Sequence, residues 1–122
     1  MDKTGSTAKA QRPPGIEVRF VLVRSRIALN IGAAARALSN FGFEDLVAVA
    51  PSANGWREAK SAIYASALLE KAPVLSLEEA TADRHLILGT ASLHNRAHRR
   101  TTVDLGSLSS WLKRRLPKGG RV

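Results

Sequence analysis

The sequence predicts an α/β fold built on a parallel β-sheet. Apolar runs that favour strands alternate along the chain with segments of helical periodicity, the order typical of parallel strands joined by helices. The apolar run Phe20–Val23 in the first strand candidate is continuous rather than alternating, as in strands that are covered on both faces. The 122 residues have the length of one domain.

The first fifteen residues are predicted to form a flexible basic arm. Residues 1–15 carry almost no apolar side chains and end in two prolines and a glycine, so they cannot bury a core of their own. The folded domain is expected to occupy residues 16–122, beginning with a strand over Ile16–Val23.

A helix is predicted to open at Asn30 and to stop at Gly42. An Asn side chain can accept a hydrogen bond from the free N–H groups of a first turn, and Gly readily adopts the left-handed conformation that ends a helix. The small residues 32–35 are expected to let a ribose-phosphate backbone come close, with Arg36 on an outer face. The predicted core-facing stripe consists of Ile31, Ala34, Ala35, Leu38 and Phe41.

The remaining elements continue the alternation. Leu46–Ala50 is predicted to be the second strand, ended by Pro51, and Leu86–Gly89 the third core strand. A short strand or an extended link is expected at residues 74–75. Helices are predicted over Trp56–Lys71, Leu77–Asp83 and Asp104–Leu116, and the inward stripe of the first consists of Ala59, Ala62, Ile63, Ser66 and Leu69.

The charge of the chain predicts a polyanionic partner. The formal net charge is +9 and the pI is about 11.1, and nucleic acid is the commonest partner of so basic a domain. Residues 1–26 carry six Lys or Arg against two acids, and residues 84–122 carry nine against one, whereas the middle carries four against seven. This uneven distribution favours a binding face over a general surface excess.

Composition excludes several classes of protein. The chain has no cysteine, so a disulfide framework and a thiolate metal site are excluded. No apolar run approaches the roughly 20 residues that span a bilayer, and the N-terminus lacks a signal-peptide core. A cytoplasmic protein without a membrane partner is therefore expected. No P-loop or dinucleotide-binding glycine motif is present.

Two loops are predicted to meet at one edge of the sheet. Residues 24–36 and residues 89–96 each follow a predicted strand, and ligands of open parallel sheets bind at the carboxyl ends of the strands. Arg24 and Arg26 precede the first helix, where they are well placed to bind the phosphates of a nucleic acid such as RNA, although they could also be simply solvated.

The aromatic and histidine side chains leave alternatives open. Trp56 and Tyr64 could stack on a nucleobase or serve only in packing. His85, His94 and His98 fall close together, but no cysteine or acid stands beside them to complete a zinc site. We therefore predict no metal, and either RNA contact or plain loop polarity for the histidines.

Three consecutive motifs carry a resemblance to a known family. The string NIGAAARA over Asn30–Ala37, the turn NFGF over Asn40–Phe43 and the strand DLVAVAP over Asp45–Pro51 together resemble the first motif of the SpoU (TrmH-type) RNA 2′-O-methyltransferases. That family belongs to the SPOUT superfamily of knotted methyltransferases, and the sequence is most similar to its TrmJ-like tRNA and rRNA methyltransferases.

The resemblance implies methyl transfer from S-adenosylmethionine to a ribose 2′-hydroxyl of tRNA or rRNA. Arg36 matches the catalytic Arg of the family and Asn30 the Asn of the motif. A guanidinium is a poor base because it keeps its proton, so Arg36 is expected to bind the substrate phosphate and stabilise the developing oxyanion. A general-base role is the alternative. Asn30 would orient Arg36 or cap the helix.

A second turn also resembles the family. Gly89–Ser92 stands where SpoU enzymes have a Gly-Thr-Ser-Ala turn that contributes to the S-adenosylmethionine pocket, which implies cofactor contacts by Thr90, Ala91 and Ser92. The order of Ala and Ser is reversed here. Arg96, further along the same loop, is predicted to bind RNA.

The resemblance covers about residues 17–122 and does not include the second and third motifs of the family. Those motifs form the trefoil knot, most of the cofactor pocket and the usual dimer interface. The fold expected is therefore the Rossmann-like N-terminal portion of a SPOUT domain with its knot segment missing, inactive alone and homodimeric when complete. The alternative is a small basic α/β RNA-binding module without catalysis, and the two interpretations differ at Arg36.

Overall fold

The computed structural model describes residues 15–90 and 101–122, and over these residues the predicted α/β class is confirmed. Strands β1 (Phe20–Val23) and β2 (Leu46–Val49) pair in parallel with Phe20 opposite Leu46 and Val23 opposite Val49. Helix α1 (Ala28–Asn40) connects them. The predicted basic arm lies outside the described residues except for Gly15.

Strand β2 is buried over its whole length. Because successive side chains of a strand point to opposite faces, Leu46 and Ala48 enter the main core with α1, whereas Val47 and Val49 pack with Ala80 on the other face. Burial on both faces explains why the sequence of this strand is apolar at every position.

Helix α1 begins two residues before the predicted start. Ile27 is the N-cap residue in an extended conformation, and no side chain caps the first turn. Asn30 is therefore the third helical residue, and the prediction that it caps the helix is wrong. The physical reason is that residues 27–29 already adopt helical hydrogen bonding, with the Asn30 and Ile31 N–H groups donating to the carbonyl of Ile27.

The end of α1 is the predicted left-handed glycine stop. Gly42 has φ +79°. Its N–H donates to the carbonyl of Ser39 at 3.1 Å, and the N–H of Phe43 donates to the carbonyl of Leu38 at 2.9 Å. This pair of bonds is a Schellman motif, which satisfies carbonyls that the helix end would otherwise leave free.

The buried stripe of α1 agrees with the predicted one only in part. Ile31, Ala35 and Leu38 are buried as predicted, Gly32 is buried with them, and Ala34 is only half-buried. Phe41 is 53% exposed, contrary to the prediction. It lies past the last helical residue, so the helical period no longer applies to it. The aromatic contact to the core comes instead from Phe43, whose ring packs edge-on against Phe20 with centroids 5.0 Å apart.

The predicted helix over Trp56–Lys71 is not one helix. The structure has a 3₁₀ helix at Trp56–Glu58 and 3₁₀ turns at Lys60–Ala65 that are interrupted at Ile63, whose backbone is not helical, and only Ser66–Lys71 is α-helical (α2). The side chains that this segment buries before α2 recur every third residue, which is the period of a 3₁₀ helix. They are Trp56, Ala59, Ala62 and Ala65, so the predicted burial of Ile63 and Ser66 is wrong.

The predicted third strand, Leu86–Gly89, is not a strand. Ile87 and Leu88 are 65% and 40% exposed. The N–H of Leu86 donates to the carbonyl of Arg121, but residues 87–90 have no ladder partner within the described ranges. Arg121 also bridges Glu17 in parallel, which extends the sheet beyond β1 by a single pair.

The last elements are short. The link at Val74 bridges Ala48 in parallel, as predicted. Helix α3 (Leu77–Thr81) begins with a capping box between Ser76 and Glu79. The final helix consists of a 3₁₀ turn at Leu105–Ser107 and helix α4 (Leu108–Arg115). Leu105, near the start of the predicted helix over Asp104–Leu116, lies in that turn and is 85% exposed. Within the described residues, every helix is too short or too polar to cross a bilayer.

Candidate functional site

Both strands end on a residue in the left-handed conformation at the same edge of the sheet. Arg24 follows β1 with φ +54°, and Ala50 follows β2 with φ +48°. The Arg24 N–H donates to the carbonyl of Val49 at 2.8 Å, so the ends of the two strands lie side by side. Non-glycine residues in this region cost of order 1–3 kcal/mol and concentrate at functional sites.

The loops that leave this edge are joined to each other. The N–H of Ser52, after β2, donates to the carbonyl of Ser25, after β1, at 3.0 Å, and the Ser52 hydroxyl lies 3.4 Å from the same oxygen. Arg24 and Arg26 are both exposed in the first of these loops. The carboxyl edge thus presents two cations immediately before α1, in the position expected of a phosphate-binding loop.

Arg36 lies on the exposed side of α1. Its side chain is exposed and forms no ion pair with any residue in the described ranges. By the helical period it shares a face with Leu29 and Ala33, and Leu29 is 61% exposed. The guanidinium is therefore accessible to an anion that approaches this face.

Asn30 and Arg36 do not face each other. Six residues of α-helix separate them, which places them about 120° apart around the axis and about 9 Å apart along it. Asn30 is exposed in the first turn. Direct orientation of Arg36 by the Asn30 side chain is not possible in this geometry, and Asn30 does not cap the helix, so neither predicted role of Asn30 fits the structure.

The small residues of α1 serve packing rather than ligand approach. A Cβ on Gly32 would contact the Ser61 hydroxyl and would lie 2.8 Å from the backbone nitrogen of Ala62. Ala35 is fully buried. The prediction that residues 32–35 let a sugar-phosphate approach is therefore wrong for the side of α1 that is covered by residues 59–62. Ala33 is the one of these four small residues that is exposed.

Ser61 and Arg57, which no sequence motif identified, hold the segment over residues 56–65 in place. The Ser61 hydroxyl donates to the carbonyl of Leu29 at 2.7 Å. Nη1 of Arg57 donates to the carbonyls of Leu69, Glu70 and Ala72 at 3.2, 3.0 and 2.9 Å. The spacing of the small residues 59, 62 and 65 was the available signal that this segment packs on α1.

The second predicted loop is only partly described. Gly89 and Thr90 are exposed, and a Cβ on Gly89 would meet nothing within 4 Å. Since residues 86–89 form no strand, the loop does not leave the sheet edge in the predicted way. Ala91, Ser92 and Arg96, and with them His94 and His98, lie outside the described residues.

Acidic groups are held at the opposite edge of the sheet. Arg19, before β1, pairs with Asp45, before β2, at 3.0 Å and donates to the carbonyl of Ala80. Asp83 joins this group through Arg19 at 3.7 Å and Arg84 at 2.9 Å, and the hydrogen bonds from Arg84 lower the pKa of Asp83 to about 2. These acids are thus paired at the amino edge of the sheet, away from Arg24 and Arg26 at the carboxyl edge, and do not neutralise those two cations.

Across the described ranges, no three His, Cys, Asp or Glu residues group closely enough to hold a metal ion.

Two solved structures are similar to part of the chain. A probable methyltransferase from Bordetella pertussis Tohama I is 36% identical over 57% of this chain and 44% of that chain, with a TM-score of 0.49. TrmJ from Z. mobilis ZM4 is 37% identical over 60% of this chain and 32% of that one, with a TM-score of 0.47. The chain thus spans less than half the length of either. No protein-family model matches it, and neither does any curated protein.

Proposed function

We propose that this chain belongs to a TrmJ-like RNA 2′-O-ribose methyltransferase of the SpoU family. The predicted resemblance to TrmJ-like methyltransferases is confirmed over somewhat more than half of the chain, at 36% and 37% identity. Because less than half of either structure is matched, the activity of the whole protein is part of the proposal. It is methyl transfer from S-adenosylmethionine to tRNA or rRNA, by a cytoplasmic homodimer.

The exposed guanidinium of Arg36 is the observation that supports this proposal. It lies in the second half of α1, the helix that follows the loop carrying Arg24 and Arg26, and no ion pair occupies it among the described residues. A guanidinium offers two parallel N–H donors to a phosphate, and the same donors can stabilise negative charge that develops on a ribose 2′-oxygen. Arg36 is thus proposed to position RNA and stabilise the oxyanion, rather than to act as the base.

The described residues do not form a complete pocket for S-adenosylmethionine. Gly89 and Thr90, the described residues of the predicted second turn, are exposed, and a Cβ on Gly89 would meet no described atom within 4 Å. The family resemblance attributes most of the pocket to its second and third motifs. We therefore expect residues 1–122 alone to bind RNA and to transfer no methyl group.

Methyl transfer should be measured on the protein expressed from its entire reading frame. The assay follows label from methyl-tritiated S-adenosylmethionine into a tRNA or rRNA transcript. Transfer to a ribose 2′-oxygen is identified by alkali-resistant dinucleotides, since the methylated oxygen cannot attack the adjacent phosphate. The wild type should give such dinucleotides, and Arg36→Ala should abolish them with only a modest loss of RNA affinity.

Arg36→Lys is the matched control for charge. It keeps the positive charge but lacks the planar pair of donors, so it should retain RNA binding and still lose most of the methyl transfer. If the wild-type protein binds RNA without methylating it, and Arg36→Ala weakens binding generally, the chain is instead a basic RNA-binding module without catalysis.

A further inference from the structure

Two large side chains project from the segment that covers α1. Ile63 and Tyr64 are 54% and 59% exposed, although Ala62 and Ala65 on either side are 0% and 3% exposed. We call this pair the Ile63–Tyr64 ridge. Because its neighbours are fixed in the core, the ridge is held at the surface rather than fraying from it.

The backbone of the ridge is strained. Ile63 has φ +52° and ψ −114°, a conformation that is highly unfavourable for a β-branched residue. The Ser66 hydroxyl donates to the Ile63 carbonyl at 2.9 Å, and the Ser61 hydroxyl anchors the other side to Leu29 at 2.7 Å. A regular helical turn here would avoid the strain. The strained turn instead keeps both side chains outside the core.

The ridge adjoins the part of α1 that precedes Arg36. Ser61 contacts the Leu29 carbonyl, and Ala62 packs over Gly32, which lies one turn before Arg36. Leu29 is 61% exposed and extends the apolar surface toward the same helix face as Arg36.

The charged residues nearest the ridge are cations. Lys60 is exposed three residues before Ile63, and Ser61, which follows Lys60, donates to the carbonyl of Leu29, three residues after the exposed Arg26. The acids Glu58 and Glu70 are exposed as well, but they lie five residues before and seven residues after Ile63. The nearest charges in the sequence and across this contact thus favour a polyanion.

We propose that the Ile63–Tyr64 ridge is a stacking platform for an unpaired nucleobase of the RNA whose phosphate Arg36 binds. This inference rests on the proposed function, because it takes RNA as the substrate. Aromatic side chains stack on bases of any sequence, and proteins recognise single-stranded RNA mainly through such unstacked bases. Trp56, the other aromatic residue of this segment, is 9% exposed and is occupied by packing.

The test compares Tyr64→Ala and Tyr64→Phe in the 122-residue chain. The probes are a single-stranded RNA of about 12 nucleotides with 2-aminopurine at its centre and the same RNA annealed to its complement, both long enough to span one domain. Stacking quenches 2-aminopurine fluorescence, which a change in fold stability alone does not reproduce. Tyr64→Phe keeps the ring and serves as the matched control.

We expect Tyr64→Ala to weaken single-strand binding by roughly 5- to 150-fold, the range for losing one base–aromatic stack, and to abolish quenching. Tyr64→Phe should behave as the wild type, and duplex affinity should change little in either variant. Unchanged single-strand affinity and unchanged quenching in Tyr64→Ala would overturn the ridge assignment alone. The ridge assignment would also be overturned if Tyr64→Ala lost self-association, measured by sedimentation, while its RNA binding stayed intact. A wild-type chain that binds neither RNA would instead overturn the proposed function.

Discussion

Gly32 of α1 lies directly against Ser61, so that the helix and the 3₁₀ segment approach to backbone distance. A Cβ at position 32 would contact the Ser61 hydroxyl and would stand 2.8 Å from the nitrogen of Ala62 and 3.0 Å from the Cβ of Ala59. The Ser61 hydroxyl uses the same approach to reach the carbonyl of Leu29. This contact determines where the Ile63–Tyr64 ridge lies relative to Arg36.

Gly32→Ala should destabilise the fold although alanine is the better helix former. The propensity gain is about 1 kcal/mol, but an added carbon against a backbone atom typically costs about 1–3 kcal/mol. We expect the Tm to fall by about 5 °C. Gly106→Ala is the control, because a Cβ there would meet nothing within 4 Å. A higher Tm for Gly32→Ala than for the wild type would show that the close approach does not exist in solution.

The sequence predicted the elements whose signals are local. The glycine at position 42 identified a helix end, because left-handed geometry restricts the residue types allowed. The apolar run Phe20–Val23 identified strand β1, but the predicted cover on both faces is only partial, since its first three residues are half-buried and Val23 is 50% exposed. The exposed Arg36 followed from the period of α1. In each case a single segment carries the whole signal.

The elements that the sequence mispredicted depend on distant partners. Trp56–Lys71 is rich in the helix formers Ala, Leu, Glu and Lys, but it packs closely on Gly32 with a three-residue period and a strained Ile63. Leu86–Gly89 is apolar enough for a strand, yet a strand also needs a neighbour to receive its hydrogen bonds, and the pairing stops at Leu86 and Arg121. Neither the close packing on Gly32 nor the missing strand partner can be predicted from the residues of the segment itself.

Arg57→Ala should lower the free energy of unfolding by about 2 kcal/mol. The guanidinium donates to three carbonyls at the end of α2, and hydrogen bonds to charged groups are worth about 1.5–3 kcal/mol. It also stacks on Trp56, 4.4 Å from the ring centroid.

Arg115→Ala separates these two contributions. Arg115 stacks in the same way on Trp111 at 4.3 Å, but it makes no hydrogen bond to a carbonyl among the described residues, so its removal should cost about 0.5 kcal/mol. Urea denaturation of both variants measures the difference. Equal losses of stability would mean that the carbonyl contacts of Arg57 contribute nothing.

Asp83 should make stability fall in acid. The hydrogen bonds from Arg84 lower the pKa of Asp83 to about 2, below its value of about 3.9 in unfolded chains. A folded-state pKa below the unfolded one adds stability that is complete above about pH 4 and is lost as the pH falls to about 2. Urea midpoints across that range should therefore drop less in Asp83→Asn than in the wild type. Parallel curves for the two proteins would contradict the assignment.

Arg36 and Asn30 should differ in how they affect the salt dependence of RNA binding. Removing one cation that binds a phosphate reduces the slope of log K against log salt concentration by about 1, so Arg36→Ala should reduce the slope by about that amount. Asn30 is uncharged and lies about 120° away around α1, and Asn30→Ala should leave the slope unchanged. The slopes are obtained from titrations of a single-stranded RNA at several salt concentrations. If Asn30→Ala also reduces the slope, the two side chains act on the same phosphate, and the helix face assigned to Arg36 would extend across the first turn.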